Sequence, residues 1–420
     1  MGGTCPAPPA LLVTKDMTAP LSVLKFGGSS VGSPERIHRV ARIIEAHHKR
    51  GEKLVVVVSA MADTTDDLID LAKKVSPRAT ERSHKREMDM LLTTGERISM
   101  ALLSMALADL GLEAVSFTGS QSGIITTNFH GEARIKDIRP IRILESLEKN
   151  KISIVAGFQG VSEEKEITTL GRGGSDTSAV ALGAKLGAKE VFIYTDVDGV
   201  YSADPRKVPK ALKLDVLSAR LAYLAASRGA QVLHHRCLEV ALKFKIPVRV
   251  LSSFLEPDAI RDGRFFDNGT RIVPQSQETH MENPFVSVVN KTSQVSLLQI
   301  SGMENSKVLE LITRLQDSKL TWISLRSFES GLEVICRDDL VDEFCSHFRP
   351  QQRVTDLTLM SLVGGGLTAA PELTRGVLAI LKHKKIEPVH VLIGDEVMEI
   401  AVPTSPDLDP VLAEIHALTR

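Results

Sequence analysis

A lysine beside two glycines, in the segment Lys25-Phe26-Gly27-Gly28-Ser29, could bind a phosphate group. An apolar run leads into this segment, and a helical pattern opening at Ser33-Pro34 follows it. Glycines let a backbone approach a ligand closely, and the unpaired N–H groups and dipole of a helix start attract anions. Lys25 would add a full positive charge. On these residues alone, an ordinary strand–turn–helix connection with a surface lysine is an equal alternative.

A second glycine-rich loop, Gly171-Arg172-Gly173-Gly174-Ser175-Asp176, has the same setting. The extended segment Ile167–Leu170 precedes it, and an alanine-rich helical segment, Thr177–Lys185, follows it. A second helix N-terminus is therefore expected at a second glycine loop. Asp176 could act in chemistry, or it could only be a first-turn carboxylate that complements the helix dipole.

Polar residues also follow the buried strand predicted at Glu190–Thr195. They form the segments Asp196–Tyr201 and Asp204-Pro205-Arg206. The carboxyl ends of parallel strands are where α/β sheets bind ligands, so these residues are candidates for a binding site.

Short, β-branched runs that alternate with helical patterns must position these loops. The runs predict a strand where Val23-Leu24 leads into Lys25, and further strands at 54–59, 114–119, 152–158, 190–195 and 246–251. Such alternation indicates an α/β fold with a doubly wound, mainly parallel sheet covered on both faces. The chain has no GxxxxGK[ST] motif, no GxGxxG motif after a strand and no HExxH motif, which argues against a Walker-type fold and a zincin site. His234-His235 lacks metal-site spacing and is more often structural.

Two further polar positions have a purely structural explanation. Thr93 and Glu96 have the spacing of a capping box, so we expect a helix to begin there. Its apolar positions Ile98, Ala101, Leu102 and Met105 would then form one buried face. In the same way, Thr64 or Thr65 could simply cap the helix that follows it.

The bulk properties describe an ordinary globular chain. Its 420 residues are enough for two or three domains, and its formal net charge of −1 gives no indication of a nucleic-acid or anionic-membrane partner. No apolar run reaches the length of a membrane span, and four scattered cysteines fit free thiols in a reducing cytoplasm. Residues 1–20, rich in proline and glycine, predict a disordered extension without the pattern of a secretory signal.

Five segments in series resemble the amino acid kinase family, and within it the aspartate kinases, over residues 22–275. They are Lys25–Ser30, Val57–Met61, Thr94–Ser99, Ala156–Gly160 and Thr168–Asp176. The resemblance implies transfer of the γ-phosphoryl group of ATP to the β-carboxylate of L-aspartate. The product would be 4-phospho-L-aspartate, on the route to lysine, threonine and methionine.

The implied reaction needs electrostatic help more than a base. A carboxylate with a pKa near ~4 is already ionised at neutral pH, but it must approach a polyphosphate. The resemblance implies Lys25 and Asp176 as catalytic residues, with Lys25 on the transferred group and Asp176 orienting it. Backbone N–H groups would hold phosphate oxygens at Gly27, Gly28, Ser29, Gly173, Gly174 and Ser175. Mg²⁺ would bind mainly through the phosphates, with no dedicated protein ligands.

The same resemblance implies contacts for both substrates. Arg172 would bind the α-carboxylate of aspartate and Glu96 its α-ammonium group, with Thr65 and Ser59 nearby. The nucleotide contacts would be Thr195, Asp196, Tyr201, Arg206, Gln231 and Val232. Gln231 stands where the family usually has lysine, and His235 where it usually has proline, so nucleotide affinity is expected to be affected.

The last third of the chain resembles a pair of ferredoxin-like ACT modules, a divergent one at 284–350 and a second at 355–420. The first is predicted to contain a helix at 307–317 and strands at 295–299, 320–324 and 331–335; the second a helix at 373–383. ACT modules bind amino acids between paired subunits, which implies an amino-acid effector and a homodimer or homotetramer. Modules that only dimerise are the alternative.

Two other functions stay open. One is a kinase for another carboxylate, although an N-acylated substrate would offer no ammonium group to Glu96. The other is a non-catalytic, effector-binding regulator, suggested by Gln231 and the divergent first module. The presence of Lys25, Arg172 and Asp176 argues against the second alternative.

Overall fold

The computed structural model describes residues 19–254, 256, 258–259, 262, 264, 268–274, 285–301, 310, 312–313, 315, 321–328, 331–405 and 407–419. Apart from Ala19 and Pro20, the predicted N-terminal extension lies outside these residues. The chain forms two compact units. The first unit runs to Val200 and includes Lys213–Ala222 and Val232–Ser276; the second comprises Tyr201–Leu212, Tyr223–Gln231 and Gln277–Arg420.

The first unit contains two sheets among its described residues. The strands are β1 (Leu21–Phe26), β2 (Lys53–Val58), β3 (Ala114–Phe117), β4 (Ile124–Thr126), β5 (Ile135–Ile138), β6 (Ile152–Ala156), β7 (Gln159–Ser162), β8 (Ile167–Thr169), β9 (Glu190–Thr195), β10 (Val216–Ser218), β11 (Val248–Ser252) and β12 (Thr270–Val273). The main sheet has the order β10-β12-β11-β9-β1-β2-β6-β3, and the smaller one β5-β4-β7-β8. All neighbours from β11 to β3 pair in parallel, which confirms the predicted α/β fold with a mainly parallel sheet.

Helices connect these strands. They are α1 (Pro34–Lys49), α2 (Thr64–Val75), α3 (Lys85–Ala108), α4 (Ile141–Glu148), α5 (Gly174–Leu186), α6 (Ala219–Ser227) and α7 (His235–Phe244). The predicted start of α1 is confirmed, because Ser33 accepts a hydrogen bond from the Arg36 N–H and Pro34 is the first helical residue. Residues such as Leu24, Phe26 and Val56 pack with α1 and α3 in one apolar core.

The predicted capping box at Thr93 and Glu96 is wrong. Helix α3 begins at Lys85, so both residues lie in its middle, and the Thr93 hydroxyl donates to the Met90 carbonyl oxygen. Helix α3 runs through Gly95. A Cβ there would lie 2.7 Å from the Ala60 Cβ, so this glycine allows close packing.

The apolar face predicted for α3 is also wrong. Ile98 is 50% exposed and Met105 is 63% exposed, whereas Leu103 and Leu107 are fully buried. The buried face is therefore shifted around the helix. Similarly, neither Thr64 nor Thr65 caps α2, because the N-cap position is Asp63 and no side chain makes the capping bond.

The second unit is built on an antiparallel sheet. Its strands are β13 (Phe285–Ile300), β14 (Ser324–Phe328), β15 (Gly331–Arg337), β16 (Gln352–Gly365), β17 (His390–Ile393) and β18 (Val397–Pro403), in the order β14-β15-β13-β16-β18-β17. Helices α8 (Val341–His347), α9 (Pro371–His383) and α10 (Leu408–Ala417) also belong to this unit. The predicted α+β character is confirmed. The predicted strand at 320–324 is displaced, since β14 starts at Ser324, and most of the helix predicted at 307–317 lies outside the described residues.

Two other sequence expectations can be compared with the structure. Within the described part of the chain, no helix is long and apolar enough to cross a membrane. Cys237, Cys336 and Cys345 are free thiols, as predicted, while Cys5 lies outside the described residues.

Candidate active site

Lys25 and Asp176 meet near the carboxyl end of β1. Lys25 is the penultimate residue of β1, and Asp176 lies in the first turn of α5. The Lys25 Nζ is 2.6 Å from the Asp176 Oδ1, and the two side chains are only 10% and 13% exposed. The contact is a buried ion pair between an ammonium group and a carboxylate. Burying two charges carries a desolvation cost, which makes such a pair a better indication of function than of stability.

The first glycine loop brings its backbone against its neighbours. A Cβ on Gly28 would lie 2.8 Å from the Ala60 carbonyl oxygen, so a side chain does not fit there. Gly28 and Ser29 begin a short 3-10 turn, where the turn itself offers no acceptor for their N–H groups. The Gly27 N–H donates instead to the Tyr194 carbonyl oxygen at 3.2 Å. Of the three amides expected to hold phosphate here, Gly27 is therefore already engaged within the fold.

The second glycine loop has two residues in the left-handed region, Gly171 at φ +73° and Gly173 at φ +69°. Gly173 is also the N-cap residue of α5, and a Cβ there would lie 2.2 Å from the His234 Cβ. The Gly174 N–H donates to the Gly171 carbonyl oxygen at 3.0 Å, which closes the turn. The Ser175 and Asp176 N–H groups are in the first helical turn, which has no intrahelical acceptor for them.

His234, left as structural from the sequence, forms the wall behind Gly173. Burial is the main cause that lowers the pKa of His234, to about 4, with His235 and Arg236 adding to the effect. The imidazole is therefore neutral at physiological pH. Its place beside Gly173 could not be read from the sequence, because about 60 residues separate the two positions.

Arg172 is exposed on the second loop, and no hydrogen bond or ion pair to it is found among the described residues. Its loop is fixed from below by Arg236, whose guanidinium donates to the Leu170 carbonyl oxygen and, at 2.8 Å, to that of Ala133. The arrangement holds the loop while leaving the Arg172 fork available for a carboxylate.

Glu96 is a buried carboxylate, and only one of its two oxygens accepts a hydrogen bond from the described residues. It is 3% exposed; its Oε1 accepts from the Ala60 N–H at 3.2 Å, and its Oε2 has no hydrogen-bond partner among the described residues. Burial raises the pKa of Glu96 to about 7. A buried carboxyl oxygen without a donor is unfavourable, which makes Glu96 suited to receive a cationic group.

Ser59 lies on the segment that joins β2 to α2, and Thr65 lies at the start of α2. The Ser59 N–H donates to the Phe26 carbonyl oxygen at 3.2 Å, and its own carbonyl accepts from the Ser99 hydroxyl at 2.7 Å. Thr65 is half-buried in the first turn of α2. β2 is next to β1, so this segment leaves the sheet at the same edge as Lys25.

The nucleotide residues implied by the resemblance fall in both units. Thr195 ends β9, and its hydroxyl donates to the Asp196 Oδ1 at 3.1 Å. In the second unit, Arg206 makes a two-pronged contact with Asp204, at 3.0 Å for each bond, and lowers the pKa of Asp204. Gln231 is exposed and Val232 is half-buried. The described residues include no group of three or more His, Cys, Asp and Glu side chains placed to hold a metal ion.

Comparisons with known proteins agree on one family. The model for the "Amino acid kinase family" matches residues 20–252. An aspartokinase of Mycobacterium bovis is 42% identical over 376 residues, which are 84% of this chain and 85% of that protein. Aspartokinase 2 of Bacillus subtilis is 39% identical over 383 residues, 87% of this chain and 90% of that protein.

The fold is also shared with a solved structure. The crystal structure of Escherichia coli aspartokinase III in complex with aspartate and ADP has a TM-score of 0.79 and 24% identity, and the match covers 95% of this chain and 99% of that one.

Proposed function

This chain belongs to the aspartokinases of the amino acid kinase family and is a kinase that acts on aspartate, and we propose that Lys25 and Asp176 carry the phosphoryl transfer. The observation that carries this proposal is their buried ion pair between the two glycine loops, 2.6 Å long. A cation held at this point can neutralise charge on a phosphoryl group while Asp176 keeps it oriented.

The chemical difficulty is repulsion between two anions. The β-carboxylate of aspartate is ionised at neutral pH, so no general base is needed. Like charges about 4 Å apart repel by roughly 4 kcal/mol at an effective dielectric constant of 20. Lys25 and the N–H groups of Gly28, Ser29, Gly173, Ser175 and Asp176 offset this repulsion at fixed positions, so they need no reorganisation during the reaction.

Recognition of aspartate uses both signs of charge. Arg172 binds the α-carboxylate through its exposed fork, and Glu96 binds the α-ammonium group through its unpaired Oε2. Ser59 and Thr65 supply hydroxyl groups at the edge of the sheet that carries Lys25. An N-acylated substrate has no ammonium group, which would leave the buried Oε2 without a donor and disfavour binding.

The family uses a nucleotide, and we propose that here it is ATP with Mg²⁺. The Asp176 carboxylate, which is 13% exposed, would accept a hydrogen bond from a water on the metal. Mg²⁺ would supply neutralisation of the phosphate charge and be held mainly through the phosphates. Thr195, Asp196, Tyr201, Arg206, Gln231 and Val232 are the proposed nucleotide contacts.

The C-terminal residues are proposed to bind an amino-acid effector and to pair subunits. The antiparallel sheet and the helices α8, α9 and α10 fit two ACT modules, at 284–350 and 355–420. This proposal gives the second unit a role in feedback control and makes the protein a homodimer or homotetramer. A thermal-shift screen with lysine, threonine, methionine and S-adenosylmethionine tests the effector, since a ligand bound to the folded state raises its melting temperature.

A substrate panel tests the proposed reaction. ADP release would be measured by a coupled assay with aspartate, glutamate, N-acetylglutamate, UMP and carbamate in turn. Of these five substrates, we expect only aspartate to be turned over. We also expect an acid-stable hydroxamate when hydroxylamine traps the acyl phosphate. Turnover of N-acetylglutamate in preference to aspartate would refute the assignment of Glu96.

A further inference from the structure

A row of polar side chains crosses the sheet of the second unit. Asn290 on β13 lies opposite Ser361 on β16, and Ser361 lies opposite Glu399 on β18. Cross-strand partners point to the same face of a sheet. The other face, which carries Val289, Met360 and Ile400, belongs to an aliphatic core with α9 and α10. The row therefore lies on the face away from these helices.

Arg228 rests on this row. Its Nε donates to the Glu399 Oε1 at 2.7 Å, with side chains 15% and 0% exposed. The Arg228 carbonyl oxygen accepts from the Asn290 side-chain amide and, at 2.6 Å, from the Thr292 hydroxyl. Both the side chain and the backbone of this one residue are thus fixed to the sheet.

The next residue is held equally closely. Gly229 has φ +94°, and a Cβ there would lie 2.0 Å from the Thr292 Oγ1. The chain continues from Gly229 to Gln231 and Val232. These last two residues are proposed to contact the nucleotide. Because the backbone is fixed three residues before Gln231, the sheet controls where this segment begins.

We propose that the Arg228–Glu399 ion pair is a positioning contact through which the C-terminal sheet sets the affinity for the nucleotide. Replacing a buried ion pair with well-packed apolar residues is often neutral or stabilising, so this pair, with Glu399 fully buried, is weak evidence for a role in stability. The ion pair instead holds the Arg228 guanidinium in one position on the sheet, because the hydrogen bond is directional and both groups are charged. The inference rests on the proposed nucleotide role of Gln231 and Val232, and it goes beyond that role by assigning its control to Glu399.

Glu399→Gln is the test, because it keeps an oxygen for the Arg228 Nε and removes the charge. We expect the KM for ATP to rise by at least about threefold, with kcat and the KM for aspartate changed by less than about twofold. Hydrogen–deuterium exchange should become faster in residues 227–233. Lys291→Gln is the matched control. Lys291 follows Asn290 on the same strand, and the substitution breaks its 2.7 Å ion pair with Asp409.

An unchanged KM for ATP in Glu399→Gln would overturn the inference, and so would an equal change in Lys291→Gln. If Glu399→Gln does not fold, Thr292→Val removes only the hydroxyl donor to the Arg228 carbonyl oxygen and should raise the same KM. The exchange measurement separates this inference from the proposed function. Faster exchange at 227–233 with an unchanged KM for ATP would show that the contact holds this segment in place. It would refute a role of the contact in nucleotide affinity.

Discussion

At the scale of single residues, Lys25 is a buried cation that chemistry can use directly. Lys25→Ala should lower kcat by roughly 10²–10³-fold, because it removes a fixed charge from the developing phosphoryl transition state. The KM for aspartate should change little, since Arg172 and Glu96 remain. Steady-state kinetics with both substrates varied would measure this.

Lys185→Ala is the matched control for that variant. Lys185 pairs with Asp137 at 3.0 Å and is 22% exposed, on the same helix as Asp176. Its loss should leave kcat within about twofold of the unaltered enzyme, because a partly exposed ion pair contributes little. Equal kcat values for the two variants would contradict the role of Lys25.

Glu96 predicts a pH dependence for aspartate binding. Its pKa is raised to about 7, so below that pH the unliganded protein carries a neutral carboxyl group that attracts an ammonium ion less strongly. The KM for aspartate should therefore be about tenfold higher at pH 6 than at pH 8. A KM for aspartate that is flat across this range would refute the contact.

Glu96→Gln should separate function from stability. It should raise the KM for aspartate and abolish the pH dependence of that KM. A raised carboxyl pKa means that the folded state binds its proton more tightly than the unfolded state, so Glu96 costs stability as pH rises from 4.5 to about 7. At pH 8 the variant should accordingly melt at a higher temperature than the unaltered enzyme. Its free energy of unfolding should be higher by up to about 3 kcal/mol. A lower melting temperature with an unchanged KM would indicate a structural role only.

At the scale of elements, the two ends of α5 offer a paired experiment. Gly173 and Gly187 both have left-handed backbone, at φ +69° and φ +68°. A Cβ on Gly173 would collide with His234, whereas a Cβ on Gly187 meets nothing within 4 Å. Gly187→Ala should cost about 1 kcal/mol and leave kcat unchanged, because only the backbone conformation is penalised. Gly173→Ala should cost more and lower kcat by displacing the loop.

Melting temperature and kcat, measured on both alanine variants, decide the matter. The contrast is informative because the backbone penalty is shared and cancels in the comparison. Equal losses of stability at the two positions, with kcat retained in both, would show that the glycine loop tolerates displacement.

The same elements show what the sequence could predict. Local sequence patterns were enough to predict the glycine loops, the strands around them and the Ser33 cap. Each of these features depends only on residues that are close together in the sequence. The start of α3 did not follow, because the spacing of Thr93 and Glu96 matched a capping box. The close approach of Ala60 that Gly95 allows is a tertiary contact, which the local sequence does not show. The contacts of His234 with Gly173 and of Arg228 with Glu399 join distant positions, so no spacing rule could indicate them.

At the scale of the whole molecule, the two units interleave along the chain, and the kinase segment predicted at 21–275 includes two stretches of the second unit. Tyr201–Leu212 belongs to the second unit. Ala203 and Val208 are 3% and 1% exposed and belong to the core formed with α9 and α10. The Ser202 hydroxyl is 2.8 Å from the His416 Nε2, and the Ser202 carbonyl oxygen accepts from the Val289 N–H at 2.7 Å.

This interleaving predicts that a chain shortened to end at Pro274 will not be an intact kinase. It would expose Ala203 and Val208 and leave Ser202 without His416 and Val289, a loss of about 2–3 kcal/mol for the apolar burial alone. We expect low soluble yield and a broad thermal transition by circular dichroism. Adding Ala203→Ser and Val208→Ser to the shortened chain should raise its solubility, because the newly exposed apolar surface is then removed. A shortened chain that melts cooperatively and phosphorylates aspartate at the full rate would instead establish 21–275 as an independent domain, since the second unit's core would then contribute nothing that the catalytic residues need.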